Sequence, residues 1–504
     1  MAAQRTRSVT RRSTMSTRPR RQHSGKQQPR IFAYLQYERI FARLLLIWAV
    51  VFNLYELAPE VTIRAPMLND GVMHLLGFQR AVDALAVGQD PTDPWLATID
   101  LGYPLFHFYQ HLPFVVPALV YMPLRGLFST ADFFHWTIYL LLSIFPLSIY
   151  WSMRRFGFPR LAAAFSGLVA SLVSTNGLYG FELGSYVWSG FGLYTQIWGM
   201  LLLPPALAQC YTTLRNGNGY FWAVLLLAAS TLSHLVFGYI GLVSVVLFTF
   251  LPALQWPLRA TLAELLWRRI KRLAILLALV GVVTAYFFVP LLQDAAYQNR
   301  TVWFPSTFYD SYGYQWVLGT LARGGLFDYN RFPTLTLLAA AGLVVCLRRW
   351  RRARYRVPVV LAVVWLLLYF GRSTWGVLMD FLVPMSGNVT LARFIEGVQL
   401  GGLYLIGLAI ALPWLWAAIR RNYAALALLA GLTALLLFPV YQERVTYLSQ
   451  NAQWMEQSKT AYEAQQKEVT ALVTWLRQAP PGRVYAGLGA QWGRKYTVGA
   501  VPVY

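Results

Sequence analysis

Charge is scarce in this sequence. Of its 504 residues, 12% are charged and 57% are hydrophobic. An average soluble domain is about a quarter charged, so these charges cannot clothe a water-soluble globule of this size. Acids are the scarcest, 20 against 43 Lys and Arg. There are two cysteines, Cys210 and Cys346, both in or beside apolar blocks. That spacing excludes a disulfide framework and a cysteine zinc site. A Walker P-loop, a GxSxG elbow and a convincing GxGxxG are also missing, so ATP-driven transport by this chain has no support.

What is abundant is apolar, and it comes in blocks: Leu44–Leu57, Trp136–Tyr150, Phe221–Leu232, Leu273–Pro290, Thr334–Leu347, Leu400–Leu415 and Ala424–Val440. A helix of about 20 apolar residues crosses a bilayer core. The composition therefore predicts an all-α polytopic membrane protein. The formal net charge is +23, and the excess is clustered. Residues 1–43 hold eleven Lys or Arg and one acid, Glu38. Further basic runs, Arg268–Arg272 and Arg348–Arg356, sit against apolar blocks. Cytoplasmic loops of membrane proteins have this pattern, which accounts for the basic balance without nucleic acid as a partner. Residues 1–40 read as a disordered basic cytoplasmic tail. The first apolar block starts too late for a cleavable leader and reads as a retained anchor.

Twelve apolar segments can be drawn between Phe41 and Tyr441, among them Leu112–Phe128. From Arg154 onward, basic loops alternate with loops poor in Lys and Arg. That alternation places 442–504 outside the cell, whereas twelve spans from a cytoplasmic N-terminus would place it inside. One early segment must therefore fail to cross, or one more must be present. The span count is expected to be odd, within about 11 to 13 membrane helices. Residues 41–441 form the membrane domain in this reading, with outside loops at 59–112 and 293–331. The first loop carries an amphipathic helix over Asn69–Val87, with Val72, Leu75, Leu76, Val82 and Leu85 at helical spacing. Such a helix suits a membrane surface. The tail 442–504 begins helix-like and ends Gly-rich without a domain-like finish, as a truncated or short divergent member would.

Seven of the 20 acids lie between Glu56 and Asp100, in or beside that first loop. Asp70 and His74 stand four apart, on one helix face. The pair suits a metal ion or acid–base chemistry; equally, Asp70 can simply open the helix, with His74 on its surface. Asp90-Pro91 and Asp93-Pro94 are turn chemistry first. The run GYPLFHFYQ brings Tyr103, His107, Tyr109 and His111 to a membrane boundary, where aromatics anchor a chain or stack on a sugar. His234 sits near the end of its span, and an ionisable residue there marks function or a buried partner. Glu182 and Tyr186 lie beside a span end, as does Arg393. A guanidinium suits phosphate oxygens, but Arg393 can also pair with Glu396 three residues on.

The order of an anchor, then DGVMHL, ALAVGQDPTDPW and GYPLFHFY in one outside loop, then LSHLVFG and ARFIEG, resembles bacterial multi-spanning proteins of the GT-C glycosyltransferase-like group. It looks nearest to the membrane proteins catalogued as 6-pyruvoyl-tetrahydropterin synthase-related. The resemblance covers roughly Phe41–Tyr441. It implies transfer of a sugar from a polyprenyl-phosphate donor on the extracytoplasmic face of the plasma membrane. Asp70 matches the position of the first-loop acid, which serves as base or holds a divalent metal, Mg or Mn. His74 would assist it, and His234, Arg393, Glu182, Tyr103 and His107 would bind substrate. The chain has no WWDYG-like motif and no adjacent acid pair in the first loop. The competing expectation is a transporter or lipid-handling scaffold, whose sign would be paired interrupted spans in two similar halves. No inverted repeat is visible.

Overall fold

The structure is a computed structural model. It describes residues 28–67, 70–97, 102–172, 194–255, 261–297, 305–328, 331–383, 389–480 and 482; side chains are described from Glu38 on, except that of Asp70. The chain is nearly all helix. In order, the helices are α1 Gln28–Glu56, α2 Pro59–Thr62, α3 Asp70–Ala86, α4 Leu105–Phe108, α5 Leu112–Tyr121, α6 Thr130–Arg155, α7 Arg160–Leu172, α8 Tyr194–Asn216, α9 Tyr220–Ser233 and α10 Leu235–Phe250. They continue as α11 Leu262–Gln293, α12 Ser306–Asp310, α13 Tyr314–Ala322, α14 Thr334–Arg348, α15 Arg356–Tyr369, α16 Arg372–Trp375, α17 Leu378–Leu382, α18 Ile395–Ile419 and α19 Tyr423–Gln478. One small antiparallel pair, β1 Trp95–Leu96 and β2 Tyr103–Pro104, joins Trp95 to Pro104 and Leu96 to Tyr103.

Among the described residues, six helices are long and apolar enough to cross a membrane: Glu38–Thr62, Thr130–Arg155, Leu235–Leu254, Leu262–Gln293, Leu391–Ile419 and Tyr423–Gln478. Shorter apolar helices at Arg160–Leu172, Tyr220–Ser233 and Thr334–Arg348 complete the bundle. The chain is a multi-pass membrane protein. Helix α18 is its axis, packed on α7, α14, α15 and α19. Helices α1, α6, α7 and α8 pack as neighbours, and α9, α10 and α11 follow against α8.

Three expectations are corrected. The segment Leu112–Phe128 is not a span: α5 has 10 residues and reaches only about 15 Å, half a bilayer core. It packs on α3 instead, and that contact also buries the apolar side of α3. The amphipathic helix thus faces protein rather than lipid. The basic tail does not extend to residue 40, because α1 is helical from Gln28. The stretch after Tyr441 continues the last helix of the membrane domain. Helix α19 is continuous for 56 residues, roughly 84 Å at 1.5 Å per residue, so it runs far beyond any membrane.

The two ends of the bundle are held differently. At one end, arginines take up the last carbonyls of helices, groups that a helix leaves unpaired. Arg356 donates to Leu251 O at 2.7 Å and Trp350 O at 2.9 Å, and Arg272 to Leu214 O at 3.0 Å. Arg354 reaches Gly157 O. The basic runs are therefore structural as well as topological. At the other end the links are acid-based. Asp328, fully buried, accepts from Leu335 N and Thr336 N at 2.8 Å each and so caps α14. Burial pushes its carboxyl up, against those hydrogen bonds and the Arg331 charge. Arg331 passes the link to Glu443 on α19 at 2.5 Å.

Candidate functional site at the arginine-poor end

Three interruptions of helix meet at the arginine-poor end. The first is α3, whose first described residue is Asp70. His74, one turn on, is only 6% exposed, so it is no surface residue. Its ring lies against Tyr109, Phe114 and Tyr194, with centroids 5.7 to 5.9 Å away. Tyr194 starts α8 and is fixed by donating to Pro113 O at 2.7 Å.

The second interruption is His234. It is a single extended residue, φ −159° and ψ 117°, between α9 and α10. So tight a joint between two antiparallel helices requires close backbone approach. A Cβ on Gly238 would fall 2.6 Å from Thr231 Cα, and one on Gly199 of α8 would fall 2.9 Å from Phe237 Cγ. Glycine at both places lets the joint close. His234 Nδ1 is shielded from solvent and has no hydrogen-bond partner among the described residues.

The third is the 3-10 turn Leu391–Phe394, which leads into α18. Its Arg393 donates through Nη1 to Gln196 of α8 at 2.5 Å and lies 3.6 Å from Glu396. The guanidinium sits over the Phe308 ring, 5.8 Å from its centroid. Among the described residues, its polar partners are reached through Nη1 alone, which leaves the Nε–Nη2 edge unspent. His234 packs against Gly199, three residues along α8 from the Gln196 that holds Arg393. Glu396 is 1% exposed, so the pairing with Arg393 is real as well. The starts of α8, α10 and α18 thus converge on one spot, and each brings a helix N-terminus, the positive end of its dipole.

The structure therefore brings together His74, His234 and Arg393, from motifs 160 and 159 residues apart in sequence. Tyr109 joins them, with its hydroxyl 3.3 Å from Thr195 Oγ1. It leaves His107 elsewhere. That ring is held between Asp93 at Nε2 and Asp294 at Nδ1, 2.9 Å each, so it straps the first loop to the end of α11. A neutral imidazole donates to only one of the two carboxylates; an imidazolium serves both. Tyr103 is half-buried in β2. Asp90 behaves as a turn residue, accepting from Thr92 N at 2.8 Å. Glu182 and Tyr186 lie outside the described residues, as does the side chain of Asp70.

Three residues here, Gln196, Glu60 and His135, have no site role in the sequence reading, and His111 is read there only as part of a boundary run. Gln196 is a polar residue inside an apolar helix start, a signal for function or a buried partner. The pair Glu60–His135, 2.9 Å apart and buried, fixes α2 on α6. His111 is buried against Tyr286, 2.6 Å from its hydroxyl. Burial pushes its imidazole down to about 4, with the Asp90 charge acting the other way. Among the described residues, no group of three or more His, Cys, Asp or Glu is placed to hold a metal ion; the side chain of Asp70, to which the resemblance assigns the metal, lies outside them.

No protein-family model matches this sequence, and no curated protein matches it. Solved structures do match in shape. One is the archaeal oligosaccharyltransferase AglB from Archaeoglobus fulgidus in complex with an inhibitory peptide and a dolichol-phosphate. It is 13% identical, with a TM-score of 0.54, over 88% of this chain and 59% of that one. The apo form of the Archaeoglobus fulgidus oligosaccharyltransferase is 13% identical at a TM-score of 0.49, over 89% and 58%. ArnT from Cupriavidus metallidurans bound to undecaprenyl phosphate is 16% identical at 0.42, over 86% and 72%. The chain spans about three-fifths of the length of the archaeal structures. At such identities the likeness is one of fold, and the fold of this multi-pass membrane chain is GT-C-like.

Proposed function

We propose that the chain transfers a sugar from a polyprenyl-phosphate donor, at the arginine-poor end, and that this end faces out of the cell. The observation that carries the reading is the meeting of His74, His234 and Arg393. The orientation follows from the basic loops at the opposite end. With α5 excluded, the described helices α1, α6 to α11, α14, α15, α18 and α19 would make an odd number of crossings, which supports termini on opposite sides. The dolichol-phosphate in the AglB complex supports a lipid phosphate as the ligand class.

In this reading the Nε–Nη2 edge of Arg393 takes two phosphate oxygens side by side, the geometry a guanidinium favours. His234 Nδ1 faces the same anion, and three helix N-termini add partial positive charge. Asp70 takes the proton from the acceptor hydroxyl. The freed oxygen bonds to the anomeric carbon as the bond from that carbon to the phosphate oxygen breaks. The electron pair leaves with the lipid phosphate, whose charge Arg393 stabilises. Glu182, Tyr103 and His107 remain substrate-side candidates by position only. The metal role of Asp70 rests on the resemblance alone, as does the narrower likeness to the 6-pyruvoyl-tetrahydropterin synthase-related proteins.

The test is sugar transfer by the full chain in proteoliposomes supplied with polyprenyl-phosphate sugars. Turnover that disappears in Asp70→Asn and falls in Arg393→Lys supports the reading. Binding of polyprenyl phosphate without any turnover would assign a lipid-handling scaffold instead.

A further inference from the structure

A second part of the arginine-poor end is built but unused by this chemistry. It is the segment from Ser306 to Ala322, α12 and α13. Bonds to the end of α15 and to α16 fix its place. Gly313 N donates to Phe370 O at 3.1 Å, Tyr314 N to Thr374 Oγ1 at 2.8 Å and Ser311 Oγ to Tyr369 O at 2.5 Å. Ser311 is held at φ 63°, a conformation that a non-glycine residue keeps only where its surroundings enforce it. Arg372 ties Asp310 to Asp380 across the same junction. At its start the segment touches the candidate site, since Phe308 is the ring beneath Arg393.

On this braced segment Tyr312 and Trp316 stack, 4.2 Å between centroids and 24° apart. They are 38% and 45% exposed. Among the described residues Trp316 has no ring contact besides Tyr312, and its indole N–H has no partner. One face of the indole and one donor are therefore open. Beside them Gln315 donates to the Tyr314 hydroxyl at 3.3 Å and keeps its amide oxygen exposed. Open aromatic area with a few polar groups at its edge marks a binding surface. A pyranose fits it: the ring has an apolar C–H face for the indole and hydroxyls for the polar edge.

We propose that the Tyr312–Trp316 shelf binds a saccharide, and, resting on the transfer reading above, that the acceptor is a glycan chain. Continuity with Arg393 through Phe308 places the glycan beside the phosphate end of the donor. The competing explanation of exposed Trp and Tyr in a membrane protein is anchoring at the lipid boundary. The two differ in what they need from residue 316. Anchoring needs apolar bulk at the boundary, whereas sugar stacking needs the flat π face.

The test uses the full chain in lipid nanodiscs. Saturation-transfer NMR is run with soluble gluco-, galacto-, manno-, arabino- and N-acetylglucosamine oligosaccharides. The expected result is transfer to ring C–H protons of at least one class, with affinity falling at least tenfold in both Trp316→Ala and Trp316→Leu. Trp316→Phe should fall less. Leu keeps the packing on Tyr312, so a fold defect in the Ala variant does not obscure the result. No transfer to any class, or binding unchanged in Trp316→Leu, overturns the proposal and leaves a membrane anchor. The same nanodiscs are titrated with polyprenyl phosphate. Sugar binding without lipid-phosphate binding would sink the transfer reading while leaving the shelf intact.

Discussion

Arg393→Lys separates a phosphate clamp from a structural ion pair. Lysine keeps a positive charge beside Glu396, so the buried carboxylate retains its partner. What it loses is the fork. Arg393 spends Nη1 on Gln196 at 2.5 Å and on Glu396 at 3.6 Å, leaving Nε and Nη2 for a ligand. A lysine has one nitrogen for all of these. It can keep one bond to the phosphate at most, and it must weaken its hold on Gln196 to do so. A hydrogen bond to a charged group is worth about 1.5–3 kcal/mol, so polyprenyl phosphate should bind roughly 10- to 150-fold more weakly. The assay is a titration of the chain in nanodiscs with radiolabelled polyprenyl phosphate, beside thermal unfolding of both forms. Arg393→Gln is the wrong variant, because Glu396 is 1% exposed. Stripping its counter-charge destabilises by about 3–5 kcal/mol, and affinity and stability would then fall together. A lysine variant with parent-like affinity and parent-like Tm refutes the clamp and leaves only the pairing with Glu396.

Three further outcomes are expected. Asp70→Asn keeps a good helix-start residue, so α3 should persist while transfer falls by about 10² or more, as loss of an acid–base group does; His74→Ala, assayed alongside, should fall less. His111 sits at about 4 in the folded chain, below its ordinary value of about 6.5. The unfolded chain therefore takes up the proton first as pH falls, and stability should drop between pH 6.5 and 4 by about 3 kcal/mol. As pH falls through that range, the unfolding midpoint of the parent should drop by more than that of His111→Gln, and parallel curves would disprove the assignment. A reporter fused after Tyr504 should read as extracytoplasmic; a cytoplasmic reading would reverse the proposed side of the site.

Much of the fold was legible because the bilayer imposes a simple rule. A long apolar block must be a helix, since no other single segment satisfies its own backbone in lipid. The blocks ending at Tyr150 and Val440 accordingly fall within α6 and α19. The parity conflict was also legible, and it pointed either to an early segment that does not cross or to one more span. Hydropathy could not say which one, because α5 is as apolar as a span and differs only in length and in packing on α3. The site was half legible. His234 and Arg393 stood out as ionisable residues at span ends. Gln196 did not, because an amide carries no charge, and its use depends on Arg393 arriving from 197 residues away. The strap made by His107 was not legible for a related reason: its partner Asp294 lies 187 residues on, and sequence order gives no hint of that contact.

A lipid-phosphate site on the outer face, as proposed above, meets a physical conflict. The anion needs positive charge, yet loops on that face are kept poor in Lys and Arg by the rule that orients the chain. In the proposed reading most of the positive charge comes without side chains. Helices that run from this end to the arginine-rich end begin here, so their N-termini all lie on this face. Three of them, α8, α10 and α18, start within reach of one another, joined by the Arg393–Gln196 bond and the Gly199–His234 contact. Each N-terminus carries about half a positive charge. That contribution does not count toward topology, because it is made by the backbone after insertion. One arginine is then enough to supply direction and a bidentate edge. The interruptions at His234 and at Leu391–Phe394 follow from the same need, since a helix must be broken at this depth for its N–H groups to face the ligand. Such a site needs no basic run, and that is why it appears in the sequence only as isolated polar residues at the ends of apolar blocks.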